Sequence, residues 1–307
     1  MTEPRSRPRE LALLLLLALL WGGSFTLIKI AVGGYPPATL VAIRITVGGL
    51  VLAAIARAQG QPFPRERRTW LRLLVQGALQ SAIPFTLISW GETRIDSGLA
   101  GVINATPPMF VFAISAFILG TVPVVGSKTA GVVLGLLGVA LLAGVGSTGV
   151  AGTSGLAVLA VLAASLCYAL GALHGHRFGH LSAFVTASGS LLMGSLFMIP
   201  ISLAVDHPWT LSPSPRATLA VLSLALLSTA GGSLLFFRLL KTLGSLATTS
   251  NAYLRALVSV LLGVVLLGEP LTLGILAGGA LVLVGVPLVT GQLRFPQSLA
   301  PATEPRR

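Results

Sequence analysis

Apolar runs of about twenty residues follow one another with little pause from residue 11 to residue 290. Twenty helical residues rise about 30 Å, the thickness of a bilayer's hydrocarbon core. Proline and charge collect between the runs rather than inside them, which marks the breaks. The pattern predicts ten spans, at about 11–31, 38–56, 70–90, 98–119, 129–146, 153–174, 182–203, 217–238, 245–267 and 272–290. The connections are short, so no soluble domain is expected outside them. The Arg/Pro-rich ends, 1–10 and 292–307, are expected to be disordered. The expected fold class is therefore all-α, a polytopic membrane protein of ten transmembrane helices.

The pattern repeats. Ser97 to Pro123 and Gly244 to Pro270 share Leu99/Leu246, Ala100/Ala247, Asn104/Asn251, Ala105/Ala252, Val111/Val258, Leu119/Leu266 and Pro123/Pro270, always 147 positions apart. The same offset joins Trp21 to Tyr168, Lys29 to His176, Gly131 to Gly278 and Gly138 to Gly285. One half-chain is thus duplicated, as repeats 11–146 and 153–291 joined by a linker at 147–152. Five spans is an odd number, so the second copy must enter the membrane in the opposite sense. Inverted repeats of this kind belong to carriers whose binding site lies between the halves.

Composition supports the membrane reading. The chain is 54% hydrophobic and 9% charged, against about 25% charge in a soluble domain. Its net charge of +12 would suggest nucleic acid in a soluble protein, but here the cations sit in connections. With the N-terminus inside, cytoplasmic segments carry fifteen Lys and Arg and outer segments only Arg94 and Arg216. Both termini are expected in the cytoplasm. Arg5, Arg7 and Arg9 before an apolar run resemble a signal peptide, but the run continues to Val32 with no small-residue cleavage site, so an uncleaved span is expected. Cys167 stands alone, which excludes an internal disulfide.

The motifs LLWGGSFTLIKIA at 19–31, Arg44 in span 2 and LLGVVLLGEPLTLGILAGGALVLVGV at 261–286 resemble the drug/metabolite transporter superfamily, in its EamA-type branch. Within it the chain looks like bacterial YddG-type amino-acid exporters. The resemblance implies two five-helix repeats, transport rather than catalysis, and residence in an inner membrane. Two departures stand out. Span 9 has Arg255-Ala256 where Glu-Pro or Ser-Pro is frequent, and Thr121-Val122-Pro123 follows span 4 where an acid is frequent.

Candidate site residues are the polar and aromatic ones at membrane depth. Arg255 lies about ten residues, or about 15 Å, from either end of its run. Charge there is costly and faces a cavity or a partner. Backbone carbonyls, water or an anionic substrate group could meet it, with snorkelling or a structural hydrogen-bond network as the alternative. Asn104 and Asn251 sit at equivalent depths and either pack helices together or line a cavity. Thr106-Pro107-Pro108 removes two backbone donors and either frees carbonyls that could receive an amine or only kinks the helix. Trp21 and its mate Tyr168 could stack on apolar substrate groups, or pack against lipid. Ser24, Gln80 and Tyr253 complete the candidate substrate-binding set. Trp90, Pro107 and Pro108 are the candidate gate, with Trp90 equally placed as an interfacial anchor. Lys29 and Arg44 fit snorkelling or structural pairing. Gly131 and Gly135, and Gly274 and Gly278, predict close packing of spans 5 and 10.

Several chemistries are excluded. Gly144 to Gly149 matches a dinucleotide fingerprint in letters only, with no strand before it, and is expected to be a turn. Gly126-Ser127-Lys128-Thr129 lacks the Gly-Lys adjacency of a nucleotide loop. His174, His176 and His180 read as a solvated cluster rather than a metal site. Ser24 and Ser250 have no histidine or acid at matching depth, so an enzyme is not expected. A non-transporting receptor or scaffold is the reading from another class. None of the eight acids lies centrally in a span, so facilitated movement is expected, with proton-coupled export as the alternative. A small-molecule substrate and the lipid bilayer are the expected partners of a monomer without cofactor, metal, nucleotide or nucleic acid.

Overall fold

The computed structural model describes residues 7–124, 126–142, 153–236, 238–239, 242 and 251–290. The linker, the glycine turn at 144–149, Ser250, the extreme ends and the side chains of Tyr253 and His176 lie outside the described residues. Every regular element described is helical. The first half contains α1 (Arg7–Ala31), α2 (Pro37–Ala58), α3 (Arg67–Glu92), α4 (Ser97–Ile118) and α5 (Gly126–Leu142). The second contains α6 (Thr153–Gly175), α7 (Ala183–Asp206), α8 (Pro215–Phe236), α9 (Asn251–Leu267) and α10 (Leu273–Thr290). Seven of these are long and apolar enough to cross a membrane, and the apolar helices within α5, α9 and α10 are shorter. Helix α1 starts at Arg7, inside the segment expected to be disordered. Pro8 near its N-terminus and Glu10 in its first turn are compatible with helix initiation.

Many large apolar side chains face outward while several polar and charged ones are buried, unlike the pattern of a soluble protein. Leu11, Leu15 and Leu19 form an exposed stripe on α1, as do Leu257, Leu261 and Val265 on α9. Arg44, Glu92, Asn104 and Asn251 are buried. Lipid tails reward an apolar exterior but give helices no reason to hide leucine from them, so association rests on close packing and polar contacts.

Packing respects the duplication. Helix α1 packs on α9 and α8, and its mate α6 packs on α4 and α3, the mates of those two. Helix α2 packs on α7, α4 on α9 and α5 on α10, each against its own counterpart. Exchanging the halves leaves this set of contacts unchanged, as expected of like units about a two-fold axis. The α5–α10 seam shows it at atomic scale. A Cβ on Gly138 would sit 2.7 Å from the Gly278 carbonyl oxygen, and one on Gly285 would sit 2.6 Å from that of Gly131. Gly135 closes the same seam, its position filled from the side by Met109. Gly274, expected in the seam, is outside it: a Cβ there would find only Thr272 Oγ1, at 3.8 Å.

Two helices widen at equivalent places, Ala78–Ala82 in α3 and Leu224–Gly231 in α8, where the turns are π-helical. In α3 Pro84, which has no N–H to donate one turn back, follows the widened turn, whereas α8 widens with Gly231 at the equivalent place. The widened turns present Gln80 and Ser81 in one half and Ser228 and Thr229 in the other.

Gly285→Val should wedge α5 from α10 and cost about 1–3 kcal/mol by overpacking. Gly274→Val should cost much less. Thermal unfolding midpoints of the detergent-solubilised protein compare the two.

Candidate functional site

The break in α4 organises the centre of the molecule. Pro107 and Pro108 cannot donate, so the carbonyls of Ile103 and Asn104 lose their helical partners. The first segment of α4 ends at Ile103 and the second begins at Pro107. The Ile103 oxygen accepts from Thr106 N at 3.2 Å and Thr106 Oγ1 at 2.8 Å. The Asn104 oxygen accepts from Arg255 Nη2 at 2.9 Å, across the boundary between the halves. The expected central cation thus meets a carbonyl released by the second proline. Gly22 permits the approach of α9, since a Cβ there would lie 2.8 Å from the Arg255 carbonyl oxygen.

Around this contact the polar groups are incompletely used. Arg255 Nε, Asn104 Nδ2 and Asn251 Oδ1 are buried without a hydrogen-bond partner among the described residues. Asn251 Nδ2 donates to the Leu14 oxygen at 3.1 Å. Asn251 and Arg255 lie one turn apart and share a face of α9. Two kinds of donor and one acceptor therefore remain around one inter-half contact, each costly to leave unpaired in a low-dielectric setting.

The other candidates divide. Trp21 is half-buried and donates Nε1 to the Ser228 oxygen at 2.9 Å, with its ring 5.4 Å from Phe236. The Ser228 hydroxyl returns a bond to the Leu20 oxygen at 2.9 Å. Tyr168 is half-buried and within electrostatic reach of both Arg44 and Arg255. Gln80 is exposed at the widened turn, against Gly171. The hydroxyls of Ser24 and Thr106 are engaged by their own helices, at Trp21 O (2.6 Å) and Ile103 O (2.8 Å). The carbonyls near Thr106, expected to receive an amine, already have donors in Thr106 and Arg255. His174 Nδ1 lies 2.9 Å from Gln76 Oε1.

Three residues carry more than the sequence reading gave them. Of the two readings for Arg44, structural pairing is the one found: it is buried, donating Nε to Thr229 Oγ1 at 2.9 Å and lying 3.9 Å over the Phe85 ring. Glu92 is wholly buried, with both carboxylate oxygens lacking a hydrogen-bond partner among the described residues. Glu269 caps α4 from the other half, accepting from Ser97 N at 2.7 Å and Gly98 N at 3.0 Å. A Gly-ended turn aims it there: Gly268 has φ 68°, a left-handed conformation that glycine adopts freely. The offset of 147 held the signal, because Glu92, Arg44 and Glu269 have Leu239, Leu191 and Val122 as counterparts.

These groups gather at one end of the bundle. Lys29 Nζ donates to the carbonyls of Glu92 (2.9 Å) and Ile95 (2.7 Å), capping the C-terminus of α3. Trp90 lies there with the Arg94 guanidinium 4.1 Å over its ring. Asp206 closes the start of α2, accepting from Thr39 N at 2.7 Å and Thr39 Oγ1 at 2.8 Å. A separate groove of about 350 Å³ between α9 and α10 is lined by apolar groups including Val102, Val260, Ile275 and Leu283, and by none of the candidate polar residues.

Asp96 precedes α4 but makes no side-chain cap. Burial pushes its carboxyl up from the usual carboxylate range, Glu269 adds to the push and Lys29 opposes it. A raised value in the folded state stabilises the protein in acid, and that contribution is lost as pH rises through it. Asp96→Asn should therefore raise the unfolding midpoint at pH 7. The gain should shrink to nothing below the ordinary carboxylate range, as a pH series of thermal melts would show.

Comparison with known proteins agrees with this architecture. The EamA-like transporter family matches residues 9–144 and again 155–291. An uncharacterized inner membrane transporter, YedA of Escherichia coli, is 28% identical over 287 residues, covering 91% of this chain and 90% of that protein. A probable terminal-alkyne amino-acid exporter of Streptantibioticus cattleyicolor is 28% identical over 276 residues, covering 90% of this chain and 91% of its own. A solved crystal structure superposes with TM-score 0.64 at 22% identity, covering 94% of this chain and 98% of that one, a likeness of fold. The duplicated helical half, the polar centre and these matches identify the chain as a member of the EamA-like transporter family, a multi-pass membrane transporter and not an enzyme.

Proposed function

We propose that this protein is a carrier that exports small amphipathic metabolites, amino acids foremost, by alternating access between two inverted five-helix halves. The observation that carries the reading is the unfinished hydrogen bonding around Arg255. Arg255 Nε and the Asn104 amide suit a carboxylate, and Asn251 Oδ1 suits an ammonium group. Trp21 and Tyr168 offer aromatic surface to a side chain. The amine is thus assigned to Asn251 rather than to the carbonyls near Thr106. Trp90 serves as the gate at one end, and the Pro107-Pro108 break is the joint in α4 that lets a gate move. The relative named as an amino-acid exporter supports the substrate class.

The exchange of contacts between halves supports the two-fold relation, and the odd number of spans supports its inversion. The excess of Lys and Arg in alternate connections supports cytoplasmic termini. Facilitated movement follows from the lack of a central acid. The complete burial of Glu92 favours a second reading, in which movement is linked to a proton.

Purified protein in liposomes should show counterflow of radiolabelled leucine, phenylalanine or alanine. Arg255→Met should lower the initial rate about tenfold or more, the worth of a lost charge-assisted hydrogen bond. Absence of counterflow with every amino acid would remove the substrate class. An unchanged rate in Arg255→Met would remove Arg255 from the site.

A further inference from the structure

The end of the bundle that holds Glu92 is closed by contacts the duplication does not repeat. Glu269 caps α4 and Asp206 caps α2, both from the second half onto the first. Their counterparts 147 positions earlier are Val122 and Gln59, neither of them an acid. Behind the Glu269 cap, Glu92 is 0% exposed, and no donor reaches either oxygen among the described residues. Its counterpart Leu239 is equally buried, within an apolar cluster with Leu14 and Leu17. The duplicated fold needs only an apolar filler at this position, and one copy has a carboxyl group instead.

The ionisable groups facing Glu92 are few. Lys29 comes from α1, Arg44 from α2 and Glu269 from the α9–α10 connection. Arg94 and Asp96 lie in the turn that follows Glu92. From α6, the contact at Gly91 is made by Ala157 and Val161, which cannot titrate. The Lys29 ammonium is directed at the Glu92 and Ile95 carbonyls, and Arg44 Nε at Thr229. No ion pair forms to the Glu92 carboxylate among the described residues. A buried ionised carboxylate without donors loses its hydration and gains nothing in return.

We propose that Glu92 is a proton-binding site that governs opening of this end of the bundle. It rests on the carrier reading. In the closed form the carboxyl group holds a proton. Parting of the α3–α4 turn from the α9–α10 connection withdraws Ser97 and Gly98 from Glu269 and brings Glu92 into water. The proton then passes to water and the carboxylate is hydrated. Closure takes one proton back, so each cycle of this gate releases one and binds one. Acid favours the closed end and alkali the open one. Protonation of Glu269 acts the other way, by weakening the cap.

The test places nitroxide labels at Thr93→Cys and Leu271→Cys, both exposed, in a Cys167→Ala background of the full chain. Pulsed dipolar distances are read between pH 5 and pH 9 in lipid nanodiscs without substrate. The wild-type carboxyl set should gain a longer distance as pH rises, and an infrared difference spectrum should show loss of a protonated carboxylic C=O band. Glu92→Gln should abolish both responses and hold the short distance. Glu269→Gln should lengthen the distance at every pH while keeping the response. A pH response in Glu92→Gln equal to the wild type's would overturn the proposal. So would a wild-type distance independent of pH with no carboxylic band, a result that stands even if Glu92→Gln fails to fold. Neither readout uses substrate, so failure here and failure of counterflow are separate results.

Discussion

A backbone carbonyl that loses its donor at membrane depth has to find another one, and this constraint shapes the centre of the protein. Pro107 and Pro108 strip two such carbonyls in α4. One is recovered locally by Thr106. The other, on Asn104, is recovered by Arg255 from the opposite half at 2.9 Å. A defect in one helix thus becomes a polar weld between two halves. It also fixes where the guanidinium sits, and leaves Arg255 Nε without a partner among the described residues. Arg255 is tolerable at depth because this oxygen exists, and α4 can be broken because Arg255 exists.

The same rule, met differently, distinguishes the two ends of the bundle. Helix starts present N–H groups with no partner inside the helix. At one end α2 and α4 receive carboxylates from the other half, and α3 finishes on the Lys29 ammonium. The equivalent positions in the other copy carry Gln59, Val122 and His176. Duplication supplied one scaffold twice, and substitution gave the copies different fastenings. Similar halves therefore do not make the two ends of the bundle alike.

Much of this was legible in the sequence. The apolar runs mark the helices to within a few residues, and the 147-residue offset marks which helices are mates. Gly131, Gly135 and Gly278 reveal the α5–α10 seam by their spacing. Arg255, Asn104 and Asn251 stand out because polar groups are rare at that depth. What stayed hidden depends on which way a side chain faces. Glu92 falls at the end of its apolar run, off-centre by residue count, yet it is wholly buried in the fold. Arg44 reads as snorkelling or structurally paired by its position along α2, and only the fold decides for pairing, with the Phe85 ring and Thr229 as its partners. Gly274 has the right spacing and lies on the Gly278 face, but it falls in the first turn of α10, where a Cβ would meet only Thr272 Oγ1. Depth along a helix follows from counting residues, whereas azimuth is decided by neighbours far away in the chain.

The glycine seam has a mechanical meaning. Where Gly138 faces Gly278 and Gly285 faces Gly131, main chain lies on main chain with no side chain between. Such a joint has no soft layer to compress and no rotamers to rearrange. It resists shear, yet leaves rotation about the point of contact comparatively free. Because the two touching points are interchanged with the halves, both halves are held at one spacing, set by main chain alone.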